Sequence, residues 1–197
     1  PKRVPILETD ACQPVNPYGE TKRLFEQELL ALTALKKVIF RYFNVAGAWP
    51  DGSLGERHEP ETHLIPKMLR DATADPDGMK VSVFGTDYPT KDGTCVRDYL
   101  HVLDIADAHI LGLQKIDSYS GEVFNLGSAQ GFSVLDVVET IRSTLRLPIN
   151  VMKKDRRPGD PAILIADSSK ARKLLEWKPA RENLSLMIED CWKSLHY

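Results

Sequence analysis

Long hydrophobic runs are absent from this sequence of 197 residues, and no stretch approaches the roughly 20 apolar residues that a membrane-spanning helix needs. Cysteine is scarce too, because the chain has only Cys12, Cys95 and Cys191, an odd number without regular spacing. This excludes a disulfide framework of the kind found in small secreted domains. No secretory signal pattern opens the sequence either, so we expect reduced thiols, a cytoplasmic location and no membrane partner.

An excess of positive charge is also missing. The chain carries 26 Lys and Arg against 28 Asp and Glu, a formal net charge of −2, which gives no electrostatic basis for binding nucleic acid. Its five histidines are scattered, and there is no internal repeat, low-complexity tract or metal-ligand spacing. With 42% hydrophobic and 27% charged residues, the composition is typical of a globular protein, for which we predict no nucleic-acid partner and no metal.

The last notable absence is a glycine-rich dinucleotide turn, Gly-x-Gly-x-x-Gly or Gly-x-x-Gly-x-x-Gly. In nucleotide-binding folds this turn places a pyrophosphate on the N-terminus of a helix. The sequence therefore contains no pyrophosphate site of this kind.

The segment from Asn16 to Lys22 has the features of a helix start. Asn16 is a favourable N-cap, and Pro17 suits the first helical position because its φ is preset and its missing N–H would have no partner there. Tyr18 and Lys22 then lie four residues apart on one face of the helix. An ammonium near a phenol favours the phenolate, which can act as a base. Such pairs are also common on helix surfaces, so the pair alone leaves an ordinary surface role open.

The sequence after this pair indicates a helix followed by a buried strand. Apolar residues recur at helical spacing up to residue 35, at Leu24, Phe25, Leu29, Leu32 and Leu35. The near-continuous apolar run 38–43 then suits a strand that is buried on both faces of a parallel sheet. Nucleotide sites in such sheets lie at the carboxyl ends of the strands, which is where Phe43 and Asn44 fall.

The remaining sequence alternates between helical and extended patterns, which predicts the α/β class. We expect further helices over 63–72, 104–114, 133–145, 170–175 (capped by Asp167 or Ser168) and from Leu184 onwards. We expect strands over 81–85, 97–102, 122–126, 149–152 and 163–165, a turn at 75–78 and a long loop over 48–61. Together these elements predict the end of a doubly wound parallel, Rossmann-like sheet followed by a smaller α/β domain.

Two arginine-containing loops are candidates for binding phosphate. Arg97 stands at a loop-to-strand junction, and Arg157 lies in a second basic loop that ends in Asp160. A planar guanidinium binds oxyanions through two parallel hydrogen bonds, and a carboxylate can accept hydrogen bonds from ribose hydroxyls. Solvated charge pairs would explain the same residues, so this local chemistry leaves both interpretations open.

Several motifs together resemble the extended short-chain dehydrogenase/reductase family, whose members modify nucleotide sugars with bound NAD. The general resemblance rests on the Tyr18/Lys22 pair followed by Arg-Tyr-Phe-Asn-Val-Ala-Gly over 41–47. Within the family, two stretches are similar to the UDP-galactose 4-epimerases. They are 85–104, with Gly-Thr-Asp-Tyr-Pro-Thr and Val-Arg-Asp-Tyr-Leu-His-Val, and 156–167, with Arg-Arg-Pro-Gly-Asp-Pro. The resemblance covers essentially the whole chain.

The resemblance implies roles for residues around the reacting sugar. Tyr18 is expected to be the acid/base, with Lys22 activating it and binding the NAD ribose. Phe43 is expected against NAD and Asn44 against the sugar nucleotide. Leu164 is expected beside the sugar, where its intermediate size implies measurable but reduced use of N-acetylated substrates.

The resemblance also implies residues that hold the UDP part of the substrate. They are His63 and Leu64 at the diphosphate, Ser82, Val83 and Phe84 at the uracil, Arg97 and Arg157 at phosphates, and Asp160 at the ribose. Plain core packing remains an alternative for Leu64 and Phe84. We expect His101 and His109 to be structural.

The family pattern has the dinucleotide turn and most of the sheet ahead of the catalytic helix, so we expect this chain to be the back part of a larger enzyme. Residues 1–47 would be the tail of the NAD-binding domain and 48–197 mainly the UDP-sugar-binding domain, with 99–127 able to pack back on the first. The expected reaction is NAD-dependent interconversion of UDP-glucose and UDP-galactose by a homodimer. The alternatives are 4,6-dehydration, decarboxylation or uronate epimerisation of a nucleotide sugar, or an inactive fragment that binds sugar nucleotides.

Overall fold

The computed structural model describes residues 1–74 and 80–197. The helices are α1 (Pro17–Ala31), α2 (Leu64–Ala74), α3 (Val102–Gln114), α4 (Val134–Leu145) and α5 (Leu184–Leu195), with a short π-helical turn at Ala171–Leu175. The strands are β1 (Ile39–Tyr42), β2 (Asn44–Ala46), β3 (Lys80–Phe84), β4 (Val96–Arg97), β5 (Tyr99–His101), β6 (Val123–Leu126), β7 (Phe132–Ser133), β8 (Asn150–Lys154) and β9 (Ile163–Leu164). Helices and mainly parallel strands alternate, which confirms the predicted α/β class. The turn expected at 75–78 lies outside the described residues.

Two parallel strand pairs bring the beginning and the middle of the chain together. β1 pairs in register with β6, and β2 pairs with β5. Only Phe43 separates β1 from β2, so one extended segment changes its partner at this residue. Strands from 99–127 therefore lie beside 39–46, while the division of the chain into two domains at residue 47 stays a prediction.

Strands from residue 80 onwards form two more sheets. β3 pairs in parallel with β8, while β4 lies between the antiparallel β7 and the parallel β9. Near the end of β9, Ala166 forms a parallel bridge with Ile6. This bridge joins the first residues of the chain to the extended segment that contains β9 and Leu164.

Two hydrophobic cores hold these elements together. The larger core packs α2, α4 and α5 against β3 around fully buried residues such as Leu69, Val83 and Met187. The second packs α3 and the π-helical turn on β5 and β6 around Trp177, whose indole Nε1 donates to the Asp104 carbonyl at 2.8 Å. Full burial of an aliphatic side chain such as that of Leu69 contributes roughly 1.5–3 kcal/mol to the free energy of unfolding.

Helix α1 differs from its prediction in length and burial. It ends at Ala31 rather than residue 35, because the Leu32 amide turns back to the Leu29 carbonyl and the Lys37 ammonium binds the Leu32 carbonyl at 2.6 Å. None of its residues is buried, and Phe25 in the predicted apolar stripe is 64% exposed. The described part of the chain therefore leaves this stripe largely uncovered.

The prediction that 38–43 is buried on both faces is wrong for this chain. Ile39 is buried, but Tyr42 at the other end of β1 is exposed. A parallel strand is buried on both faces only where packed elements cover both. An ion pair between Glu26 and Arg41 joins helix α1 to β1, while most of the apolar stripe of the helix stays exposed.

The helical segment begins at Ser169, two residues before the π-helical turn Ala171–Leu175, and one of its two predicted caps, Asp167, is present. The Asp167 carboxylate accepts a hydrogen bond from the Ser169 amide at 2.9 Å. The hydroxyl of Ser168, the other predicted cap, donates instead to the Gly127 carbonyl at 2.8 Å. Ser168 thus ties the turn to the end of β6.

The thiols agree with the expectation of reduced cysteines, because Cys12, Cys95 and Cys191 are all free. Burial raises the pKa of Cys191 to about 12, so it stays a thiol that accepts a hydrogen bond from the Gly47 amide. Within 1–74 and 80–197, no helix combines the length and the apolar character needed to cross a bilayer.

Gly47 provides a test of the packing between β2 and β5. Its φ is +84°, which disfavours a side chain, and an added β-carbon would lie 2.5 Å from Nε2 of the buried His101. We expect Gly47→Ala to lower the free energy of unfolding of the full-length protein by about 2–4 kcal/mol, because backbone strain adds to a clash with a fixed ring. Urea unfolding followed by circular dichroism measures this loss.

The matched control is Gly121, which has φ +88° but no atom within 4 Å of an added β-carbon. Gly121→Ala should lower the free energy of unfolding only through backbone strain, by about 1 kcal/mol. Equal losses in the two variants would show that the ring of His101 moves aside at no cost and would contradict the prediction.

Candidate functional site

Tyr18 and Lys22 lie one above the other on the first turns of α1. The helix begins as predicted, because the Asn16 side-chain carbonyl accepts a hydrogen bond from the Gly19 amide at 2.8 Å. The Lys22 ammonium lies 5.2 Å from the centroid of the Tyr18 ring. Tyr18 is 71% exposed, so its phenol is open to a ligand. The two side chains therefore have the arrangement in which a cation can favour a phenolate.

A bidentate ion pair fixes α1 to β1 next to the carboxyl end of the strand. Arg41 donates to Glu26 through Nε at 2.8 Å and through Nη2 at 2.5 Å, and its Nη1 donates to the Glu8 carbonyl at 3.1 Å. The hydrogen bonding of the Arg41 guanidinium to the Glu26 carboxylate is the main cause of the raised pKa of Arg41. Phe43 and Asn44 follow immediately, both half-buried, where the extended segment changes partner. The ion pair thus orients Tyr18 relative to these two residues.

Arg97 on β4 and Leu164 on β9 lie next to each other, and Asp160 in the loop before β9 lies close to Arg97. Arg97 stands opposite Leu164 in the parallel register of the two strands. Its side chain is only 13% exposed, and its Nη1 donates to the Pro161 carbonyl at 2.9 Å. Its Nη2 lies 3.5 Å from Asp160 Oδ1. The guanidinium is therefore held in place while one of its nitrogens lies beside a half-exposed carboxylate.

Arg157 and Phe84 form a second cluster at the ends of β8 and β3. The guanidinium carbon of Arg157 lies 4.0 Å from the centroid of the Phe84 ring, a cation–π geometry. Ser82 and Phe84 are half-buried, whereas Val83 is fully buried, so only the backbone of Val83 can meet a ligand. The structure thus brings together four residues that the resemblance assigns to the nucleotide.

The neighbouring Arg156 has a different environment. Its Nε donates to Asp87 Oδ1 at 2.7 Å, and its guanidinium lies 4.1 Å from the ring of Tyr88. The hydrogen bond to Asp87 raises the pKa of Arg156. Among the ion pairs of the described residues, Arg156 has a carboxylate partner and Arg157 does not, so Arg157 is the guanidinium open to an anionic ligand.

The loop 156–160 lies beside the start of α1. An added β-carbon on Gly159 would meet the Val15 carbonyl oxygen at 3.7 Å. Val15 directly precedes the cap residue Asn16, so this loop approaches the end of α1 that carries Tyr18. The phosphate-binding candidates and the acid/base candidate therefore lie on adjoining surfaces.

His63 and Leu64 lie at the beginning of α2. His63 is exposed, and its Nδ1 is 2.7 Å from Glu56 Oε1, while the half-buried Leu64 packs against the larger core. No hydrogen bond or ion pair of the described residues joins His63 to Arg97 or Arg157. The core packing of Leu64 keeps the alternative of a structural role open for that side chain.

Asp98 is a buried residue to which the sequence analysis gave no role. Its Oδ1 accepts from the Ser128 amide at 2.9 Å and from the Ser128 hydroxyl at 2.7 Å, and its Oδ2 accepts from the Ala166 amide at 3.1 Å. Burial raises the pKa of this carboxyl, and the hydrogen bonds oppose that shift. The available signal was a carboxylate directly after Arg97 within the strand predicted over 97–102.

His101 and His109 have the structural contacts that were expected. The buried His101 caps α3, because its Nδ1 accepts from the Leu103 amide at 3.1 Å, and its Nε2 is 3.3 Å from Asp190 Oδ2. Burial lowers the pKa of His101, with Asp190 opposing the shift. His109 Nδ1 lies 2.8 Å from the Ile105 carbonyl within its own helix.

A concavity of about 470 Å³ lies elsewhere, lined by residues that include Phe132, Thr140 and Glu182. It contains none of the candidate residues. The candidate site is therefore an open surface formed by α1, the ends of the strands and the loop 156–160.

The chain matches the NAD dependent epimerase/dehydratase family over residues 1–127. It is 49% identical over 196 residues to the UDP-glucose 4-epimerase of Lacticaseibacillus casei and 48% identical over 197 residues to that of Lactobacillus helveticus. Each alignment covers 98% of this chain and 59% of the relative. The chain thus spans 59% of the length of these relatives.

Solved structures are similar over the same extent. The UDP-glucose 4-epimerase from Stenotrophomonas maltophila with bound NAD and formylated UDP-arabinopyranose has a TM-score of 0.90 at 39% identity, covering 100% of this chain and 59% of that one. The enzyme from Bifidobacterium longum in complex with NAD+ and UDP has a TM-score of 0.88 at 35% identity, with coverages of 100% and 59%. This similarity confirms the predicted Rossmann-like α/β fold.

Proposed function

The chain belongs to the NAD-dependent epimerase/dehydratase family, and we propose that it forms the acid/base and UDP-sugar-binding part of an enzyme that interconverts UDP-glucose and UDP-galactose. The observation that carries the proposal is the exposed Tyr18/Lys22 pair beside the clusters of Arg97 and Arg157. The relatives at 49% and 48% identity are UDP-glucose 4-epimerases, which supports this reaction over dehydration or decarboxylation. Because the chain spans 59% of their length, the activity is assigned to the full-length protein.

The family is NAD-dependent, and the residues of this chain fit one side of a bound NAD. The exposed Lys22 ammonium has three N–H donors for ribose hydroxyls, and the half-buried Phe43 offers an apolar surface at the carboxyl end of β1. A bound NAD would supply the reversible hydride chemistry at carbon 4 of the sugar. The pyrophosphate would have to be held by a turn that 1–197 does not contain.

Tyr18 supplies the proton chemistry of the proposed reaction. Its phenolate, favoured by Lys22, accepts the proton of the sugar 4-hydroxyl and gives it back when the hydroxyl is restored. The high exposure of Tyr18 leaves its hydroxyl accessible to a substrate, and Asn44 offers amide groups to orient the sugar.

In this proposal the UDP part of the substrate is bound by residues other than those that act on the sugar. Arg157 and Phe84 offer a cation and an aromatic face, while Arg97 and Asp160 offer a donor and an acceptor. In this proposal the remaining contacts come from Ser82, Val83, His63 and Leu64, with Leu164 beside the sugar. Anchoring the substrate through UDP leaves the sugar free to present either face to the cofactor.

We also propose a homodimer in the cytoplasm. The largely uncovered apolar stripe of α1, with Phe25, supports association with a second copy, because exposed apolar patches of this kind mark interaction surfaces. The three free thiols support a reducing compartment.

The first prediction concerns turnover. The full-length protein should form UDP-glucose from UDP-galactose, and Tyr18→Phe should lower kcat by about 10²–10⁴-fold, the usual contribution of an acid/base group. Tyr197→Phe is the control, because Tyr197 is also exposed but lies at the end of the chain. Near-normal turnover by Tyr18→Phe would remove Tyr18 from the mechanism. A deoxy-keto sugar formed from another nucleotide sugar, with no UDP-glucose, would favour a dehydratase.

The second prediction concerns UDP binding. Arg157→Gln should weaken the binding of UDP by about 10–100-fold, because a charge-assisted hydrogen bond of about 1.5–3 kcal/mol is lost. Arg156→Gln removes the neighbouring charge, which Asp87 already engages, and should have a much smaller effect. Isothermal titration calorimetry of both variants measures the difference. Equal losses of UDP affinity in the two variants would show that both act by disordering the loop, and would contradict a direct contact between Arg157 and UDP.

The third prediction concerns the chain by itself. Residues 1–197, purified alone, should be inactive, poorly soluble and free of NAD, because the stripe of α1 and the edge of β1 are uncovered and the dinucleotide turn is lacking. The full-length protein, purified in the same way, is the control, and the absorbance of released cofactor is the measurement. A soluble monomer of 1–197 with bound NAD and epimerase activity would contradict this prediction.

A further inference from the structure

Four potential metal ligands meet in the loop before α2. They are Glu56, His58, Glu61 and His63, and one ligand atom from each lies within 4.8 Å of those from the other three. The spacing of the two histidines alone does not predict a metal site, because two of the four ligands are glutamates. The fold brings the four side chains together by turning the loop back on itself.

The side chains meet at their ligating atoms. His63 Nδ1 lies 2.7 Å from Glu56 Oε1 and 3.2 Å from Glu61 Oε1. His58 Nδ1 lies 2.9 Å from the same Glu56 oxygen and 3.9 Å from Glu61 Oε1. Two imidazoles and two carboxylates therefore offer two nitrogen and two oxygen ligands around one point.

An unpartnered buried oxygen is the second observation at this cluster. The Glu61 side chain is only 4% exposed, and its Oε2 is one of two buried side-chain polar atoms without a hydrogen-bond partner in 1–74 and 80–197. A buried carboxylate oxygen without a partner is costly, and such groups are rare in folded proteins. A cation bound through both oxygens of the Glu61 carboxylate would give Oε2 a partner and remove this cost.

The charge of the cluster also favours a bound cation. The nearby guanidinium groups are engaged elsewhere, because Arg57 donates to the Ser194 carbonyl at 2.5 Å and Arg70 donates to the His58 carbonyl at 2.7 Å. In the described parts of the chain, the imidazoles are the only basic groups within ion-pairing distance of Glu56 and Glu61. With neutral imidazoles the cluster carries two negative charges, which a divalent cation balances.

We propose that Glu56, His58, Glu61 and His63 form a binding site for a divalent transition-metal ion such as Zn²⁺. Zinc accepts four ligands from imidazole nitrogen and carboxylate oxygen, whereas calcium and magnesium prefer oxygen alone. The bound ion would fix the loop that leads into α2 and hold one edge of the His63 ring. The site includes neither Tyr18 nor Lys22, and it shares only His63 with the residues proposed to contact the nucleotide.

The test is direct metal binding by the full-length protein after removal of metal with a chelator. Titration with Zn²⁺ against a chromogenic chelator should show one tight equivalent per chain, and Co²⁺ should give the visible absorption bands of four-coordinate cobalt. His58→Ala and Glu61→Gln should each weaken Zn²⁺ binding by at least about tenfold, since even outer partners of a metal site contribute that much. Glu59→Gln is the control, because Glu59 lies in the same loop with its side chain 94% exposed and outside the cluster.

The absence of a tight equivalent in the unmodified protein would overturn the proposal. So would Zn²⁺ affinity that is equal in His58→Ala, Glu61→Gln and Glu59→Gln, since this would place the ion elsewhere. If Glu61→Gln fails to fold, the half-exposed His58 still permits the comparison. Because binding is measured without nucleotide, this result is separate from that of the turnover assay.

Discussion

The buried carboxylate of Asp98 is the constraint on which the arrangement of the site depends. Its two oxygens accept hydrogen bonds from Ser128 and Ala166, which follow β6 and β9. Its backbone carbonyl accepts from the Asn44 amide at 2.9 Å, and its amide donates to the Leu164 carbonyl at 3.1 Å. Asp98 thereby connects its own segment to three others, which contain β2, β6 and β9. Loss of the carboxylate would leave several buried donors without a partner, which is among the costliest changes inside a protein.

The candidate residues project from this junction. Arg97 precedes Asp98, Asn44 binds its carbonyl, and Leu164 binds its amide. The relative positions of a cation, an amide and an apolar side chain are thus set by backbone hydrogen bonds, which are less adaptable than side-chain contacts. The helix with Tyr18 is attached separately, through the ion pair between Glu26 and Arg41.

Local sequence was sufficient to predict features that depend on near neighbours. The Asn16 cap and the helix expected over 133–145 follow from spacing and propensity, and the structure contains both, the second as α4. Motif resemblance identified the family. The division of the extended segment into β1 and β2 and the short strand β7 were missed, because strand pairing depends on partners far along the chain.

Burial was harder to predict than secondary structure. The stripe on α1 has helical periodicity, but periodicity reports which side of a helix is apolar and not whether anything covers it. The junction at Asp98 and the meeting of His58 with His63 likewise require knowledge of how loops turn in space. The roles of Tyr18, Arg97 and Arg157 rest on resemblance and remain predictions, although their positions relative to each other are now described.

The two consecutive arginines of the loop 156–160 have a consequence for the entropy of ligand binding. Arg156 is held by Asp87 and by the ring of Tyr88, so that part of the loop is already ordered before any ligand arrives. Arg157 is stacked on Phe84 and loses little further rotational freedom when an anion engages it. Immobilising a flexible side chain costs about 0.5–1.5 kcal/mol on binding. Preorganisation by neighbouring aromatic rings therefore allows an exposed loop to bind an anion with a smaller entropic loss than free arginines would incur.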